Sequence, residues 1–172
     1  MFQSLSGGGS ITGSRVVLEG PLSPGNSVGT LEVEQFTFLS GSIYHWDVLG
    51  MLGDLVWITG GGDAFQLSDD GLYTVNVIAS LSDLPLLTEY VLFQWAGDDP
   101  VDPLDFGTWL VQGDLVLGGE VVYRPGDNQI VLTNLQIADV QQVIPEPGSV
   151  TLFGVAGLLF VLRRRRKTRG RR

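Results

Sequence analysis

Turn-forming residues interrupt positions 5–80 about every 10 to 20 residues, which leaves room for short strands and none for crossover helices, and strands and turns return from position 90. The clusters are Ser23-Pro24-Gly25-Asn26-Ser27, Gly41-Ser42, Gly53-Asp54, Gly60-Gly61-Gly62-Asp63, Gly113-Asp114, Gly118-Gly119 and Pro125-Gly126-Asp127-Asn128. Between them the chain alternates apolar and polar side chains, most clearly from Leu31 to Phe38. That period of two is the mark of a half-buried strand. The same reading places strands at Ile43 to Val48, Leu55 to Thr59, Phe65 to Leu67, Leu72 to Ala79 and Tyr90 to Trp95. Further strands are expected at Trp109 to Val111, Asp114 to Leu117, Glu120 to Tyr123 and Gln129 to Ile137, the last entered through a hairpin at Pro125 to Asn128. Only Leu81 to Leu92 interrupts the series, since Asp83 and Pro85 suit the start of a short helical turn.

A chain of 172 residues holds one domain with a real core. Its 24 glycines and abundant Val, Leu and Thr agree with an all-β fold. With no cysteine, disulfide frameworks and thiolate metal sites are excluded. Charge is divided along the chain. Ahead of Pro145 two basic residues, Arg15 and Arg124, stand against 18 acidic ones, a net of −16, while the last ten residues hold the other eight bases. So acidic a body repels phosphate backbones, which excludes nucleic acid as a partner.

The C-terminus has three parts in immediate succession. Pro145-Glu146-Pro147 stops any regular element. An uncharged apolar run from Val150 to Leu162 follows, interrupted only by small residues. The block Arg163, Arg164, Arg165, Arg166 and Lys167 begins at once, and Arg169, Arg171 and Arg172 extend it. As a helix, residues 148–162 rise about 22 Å at ~1.5 Å per residue, short of the ~30 Å hydrocarbon core unless the arginine stems snorkel or the bilayer thins. The positive-inside rule keeps the basic end cytoplasmic and the acidic body outside.

Val143-Ile144-Pro145-Glu146-Pro147, the short apolar run and the arginine-rich end together resemble the PEP-CTERM sorting domain of Gram-negative bacteria. The resemblance covers residues 143–172. It implies recognition by an exosortase, a membrane cysteine protease acting near Pro145, Glu146 and Pro147, with transit through the inner membrane toward the cell surface. A permanent C-terminal anchor is the alternative. Export also needs an N-terminal signal, and Met1 to Ser10 has neither a basic region nor an apolar core. The expectation is therefore a C-terminal fragment of a longer exported protein, or a late start.

Ser10-Ile11-Thr12-Gly13, Leu22 to Leu31 and Gly53 to Gly60 resemble the autotransporter-associated β-strand repeats of exported proteins. This implies a right-handed parallel β-helix over residues 5–80, capped by the last strands in antiparallel order. A β-sandwich shows the same alternation and stays open as the alternative. Residues 1–142 then form an extracytoplasmic β domain, and residues 143–172 the sorting tail.

Chemistry-bearing residues are few. His45 is the only imidazole, and no nucleophile motif accompanies it, so a strand histidine is expected. Asp98, Asp99, Asp102 and Asp105 crowd one loop with Pro100 and Pro103. Calcium takes six to eight oxygens, but this spacing lacks the glycine and closing glutamate of an EF-hand, and a solvated turn is expected. Asp63, Asp69 and Asp70 make a weaker candidate of the same kind. Paired carboxylates also serve glycosidases, which need an aromatic cleft. Trp46, Trp57, Trp95 and Trp109 are more simply read as packing residues. The reading is a non-enzymatic surface or matrix protein without cofactor, with an extracellular polysaccharide as a further candidate partner. A carbohydrate-active enzyme or carbohydrate-binding module is the alternative.

Overall fold

Through Gln112, apart from two short side strands, successive strands alternate between two sheets, and each return to a sheet lands beside the strand laid down there before it. The computed structural model describes residues 1–68, 71–79, 89–97 and 106–138. The first sheet contains β1 (Leu5–Gly7), β3 (Pro21–Pro24), β5 (Ile43–Leu49), β9 (Leu72–Ile78) and β11 (Thr108–Gln112) in that spatial order, every pair parallel. A two-residue strand, β6 (Leu52–Gly53), folds back on β5 as a hairpin. The second sheet runs from β2 (Gly9–Leu18) through β4 (Thr30–Phe38), β7 (Leu55–Ile58) and β10 (Glu89–Trp95), again parallel throughout. β8 (Phe65–Leu67) extends β7's side of β4. The order then reverses: β13 (Gln129–Ile137) pairs antiparallel with β10, and β12 (Val116–Arg124) antiparallel with β13 at the edge. The fold is all-β, with one parallel and one mixed sheet.

Alternation in sequence becomes alternation in burial. Tyr44, Trp46 and Val48 of β5 face inward while Ile43, His45 and Asp47 are only half-buried, and β9 repeats the pattern with Tyr73, Val75 and Val77. Because the parallel pairs are in register, inward residues stack in rows, such as Leu31, Val56, Phe93 and Ile130 across β4, β7, β10 and β13. Rings dominate the core. Phe36 lies over its register partner Phe65 at 6.4 Å, Phe65 meets Phe93 at 5.3 Å, and Tyr73 meets its partner Trp109 at 4.7 Å. Each such pair adds about 0.5–1.5 kcal/mol beyond burial. Tyr44 Oη donates across the core to the Leu92 carbonyl at 3.3 Å, tying the two sheets together.

The expected strands recur with small shifts of boundary, including the hairpin at Pro125 to Asn128, which turns through one 3-10 turn into Asn128 in the left-handed region (φ 54°). The turn expected at Gly53-Asp54 falls instead at Gly50-Met51, with Gly53 already in β6, and one pair of expected strands is overturned. Asp114–Leu117 and Glu120–Tyr123 are not two strands around a Gly118-Gly119 turn. β12 runs unbroken through both glycines, and its register against β13 slips between Val116 and Gly118 and again between Gly118 and Glu120. Glycine in a strand marks such an irregularity as readily as a turn. Gly119 also packs tightly, since a Cβ there would meet Val111, Leu132 and Leu135 at 3.1–3.3 Å. Of Leu81 to Leu92, Glu89 to Leu92 belong to β10, and the rest lie outside the described residues. So does the expected membrane helix at 148–162. Among the described residues no helix is long and apolar enough to cross a membrane.

Candidate functional sites

Sequence had singled out four tryptophans and one histidine, and the structure separates them. Trp46 and Trp95 are buried in the core, and Trp109 packs against it. Each touches other rings: Trp46 meets Tyr90 at 4.9 Å, Trp95 meets Phe65 at 5.5 Å, and Trp109 meets Phe106 at 5.7 Å. Trp57 is different. It sits on the outward side of β7, partly exposed, between its register partners Glu32 and Gln94. His45 lies on the outward side of β5, where its Nδ1 is 3.2 Å from the Asn76 amide of the next strand. That is the strand histidine expected.

Among the described residues, the most perturbed carboxyl is one that sequence reasoning treated only as a turn residue. Asp54 follows the β5–β6 hairpin and is 0% exposed. Its Oδ1 accepts from the Gly29 N–H at 2.7 Å, and its Oδ2 from the Asp47 N–H at 3.0 Å. Its backbone accepts from Trp46 Nε1 at 3.0 Å. Burial raises the Asp54 carboxyl to about 7, against the pull of the two N–H groups, and the Asp47 carboxylate adds to the rise. Asp47 is itself raised by burial, partly offset by His45, and burial followed by the nearby Asp54 raises the Tyr44 hydroxyl. Two acids beside a tryptophan superficially match a glycosidase pair. Yet Asp54 and Trp46 are both 0% exposed, so no sugar ring reaches either. Both Asp54 oxygens are held by backbone donors, and they join the segment before β7 to strand β5 and to the loop before β4.

A shallow groove opens on the β12–β13 hairpin, lined by Gly119, Glu120, Asn134, Leu135 and Gln136. Asn134 adopts φ 51°, and its amide donates to Glu120 Oε2 at 2.9 Å. On the same outward face Arg124 makes two hydrogen bonds to the Glu89 carboxylate, one of them 2.8 Å. Arg124 is the register partner of Gln129 and Glu89 that of Thr133, so the pair crosses diagonally over Val131. Val131 faces outward yet is 0% exposed, which this strap explains.

Asp63 is exposed, and its carbonyl accepts from Arg15 Nη2 at 2.6 Å. Its proposed companions Asp69 and Asp70 lie outside the described residues, as do Asp98, Asp99, Asp102 and Asp105. Among the described residues no group of three or more His, Asp or Glu is placed to hold a metal ion. Pro145, Glu146, Pro147 and the basic residues from Arg163 to Lys167 also lie outside the described residues. No curated protein and no solved structure matches the chain. Residues 143–167 match the family model of the PEP-CTERM protein-sorting motif, which indicates exosortase-dependent sorting through the membrane toward the cell surface.

Proposed function

We propose that the chain is a non-enzymatic structural or adhesive protein of the cell surface, whose tail is cut by an exosortase near Pro145, Glu146 and Pro147 after the body has crossed the inner membrane. The observation that carries this reading is the sorting-motif match at residues 143–167, directly after the β body. Before cleavage, residues 148–162 form a single helix in the inner membrane, with Arg163 to Lys167 holding its end in the cytoplasm. The body is a short β-solenoid resembling the autotransporter-associated repeats. Its parallel, in-register neighbours and the alternation of successive strands between two sheets support stacked coils over a sandwich built of hairpins. The general preference of parallel crossovers supports a right hand. The β12–β13 hairpin then caps the stack and covers an edge that otherwise invites aggregation.

The non-enzymatic part draws support from Asp54. A displaced carboxyl is a common sign of catalysis, but this one is sealed and satisfied by backbone N–H groups. Mass spectrometry of the protein recovered from an exosortase-bearing Gram-negative host tests the tail. Expected is a mature C-terminus close to Pro145–Pro147, and full-length protein when the exosortase is inactivated or Pro145-Glu146-Pro147 is replaced by alanines. An intact basic tail on surface-exposed protein in the competent host overturns it.

A further inference from the structure

The outward side of the second sheet carries one unbroken row of side chains across six strands. Register pairs join Ser10 to Glu32, Glu32 to Trp57, Trp57 to Gln94, Gln94 to Gln129 and Gln129 to Arg124. At about 4.8 Å per strand the row is roughly 24 Å long. One position away, the inward row is Leu31, Val56, Phe93 and Ile130, so the face of each residue is fixed by the core behind it.

Two properties set this row apart. Among the described residues, the side chains of Glu32, Gln94 and Gln129 make no hydrogen bond or ion pair, and Trp57 makes no ring contact, unlike the other three tryptophans. The row therefore presents free amide and carboxylate groups on both sides of a partly exposed indole. Arg124 at its end is already neutralised by Glu89.

We propose that this row binds a neutral polysaccharide lying across the strands, with Trp57 as its anchor. The inference rests on the surface-protein reading above and names the partner that body would hold. Charge selects the class. A body of net −16 ahead of Pro145, with Glu32 in the row itself, repels sulfated or uronate-rich chains and nucleic acid. An apolar peptide would strand the free amides and carboxylate without partners. A neutral glycan offers hydroxyls that both donate and accept, and its C–H faces pack on indole. Its repeat, one pyranose ring, is close to the spacing between strands, so successive sugars meet successive side chains of the row.

The test is affinity gel electrophoresis of the full chain, in mild detergent, through gels containing a mixed-linkage β-glucan, a galactomannan, a dextran or a polyuronate. Expected is retardation by at least one neutral polymer and none by the polyuronate. Trp57→Ala should weaken binding about tenfold or more, the usual scale for truncating an aromatic anchor. The double variant Glu32→Ala, Gln94→Ala tests the row without touching the indole and should also weaken binding. Melting curves confirm that each variant is folded. Absence of retardation by all three neutral polymers, retardation by the polyuronate alone, or undiminished binding by the folded variants overturns the proposal. Tail cleavage is read on different residues, so failure here leaves the sorting reading standing, and failure of cleavage leaves this one.

Discussion

At residue scale, the hairpin after β5 concentrates the most constrained chemistry. Gly53 faces the Trp46 ring so closely that a Cβ would overlap it. Trp46 is itself fixed by its bond to the Asp54 carbonyl and by the Tyr90 ring. Gly53→Ala should therefore cost about 1–3 kcal/mol, the scale of overpacking a core, read as a lower midpoint in urea. Asp54 gives a pH signature. Its folded value of about 7 lies above the ordinary 3.8, so the folded state holds a proton that the unfolded chain has already released. The stability it contributes is complete below about pH 4 and is lost as pH rises through about 7. Asp47, also raised, acts in the same direction. Melting temperature should fall from pH 4 to pH 8, and Asp54→Asn should flatten that slope more than Asp47→Asn. The asparagine should also lower stability at pH 5 by about 1–3 kcal/mol, because its single oxygen cannot serve both the Gly29 and Asp47 N–H groups. An unchanged slope in Asp54→Asn would show that the carboxyl does not titrate there. None of this was legible beforehand. Gly53-Asp54 reads as a turn in the sequence, yet Gly53 lies in β6 and the turn itself falls at Gly50-Met51, and the donors that the Asp54 carboxylate meets depend on Gly29, 25 positions away.

At the scale of elements, strands were legible because period two and turn residues act locally, and β4, β5, β7 and β9 lie where alternation put them. β12 was not. Two adjacent glycines carry the same local signal for a turn as for an irregular strand, and only β13 alongside decides between them. The strap from Arg124 to Glu89 belongs to this scale too, since it spans three strands. Both side chains are about a third exposed, 40% and 32%, so the pair alone is worth at most about 1 kcal/mol. A double-mutant cycle with Arg124→Met and Glu89→Gln should give a coupling of that size, smaller in high salt. Methionine keeps an apolar cover over Val131, so Arg124→Ala should be the more damaging single change. Equal effects of the two would mean that the stem does not shield Val131.

At the scale of the whole molecule, the two ends of the mixed sheet are finished differently. Parallel pairing runs from β2 to β10, then two antiparallel strands close the series. Antiparallel order at that end was anticipated from the Pro125–Asn128 turn, whereas the parallel order of the rest rested on a resemblance of turn residues. Pairing partners are long-range facts, and no local period encodes them. The hairpin does more than add two strands. Ile130 and Leu132 are fully buried in the core, and Trp95 stacks on Tyr123 at 6.0 Å. Removing residues 113–138 from the chain would thus uncover both the hydrogen-bonding edge of β10 and the apolar row behind it. Such an edge is a template for any other strand. The truncated chain is expected to elute as large, thioflavin-reactive assemblies, while the full chain, assayed in the same detergent, does not. If the truncated chain stayed monodisperse with an unchanged melting temperature, the hairpin would be an appendage and the stack would end stably at β10. The edge of β10 exists only once the body folds, and a cap carried within the same chain covers it at that moment, before any partner is needed.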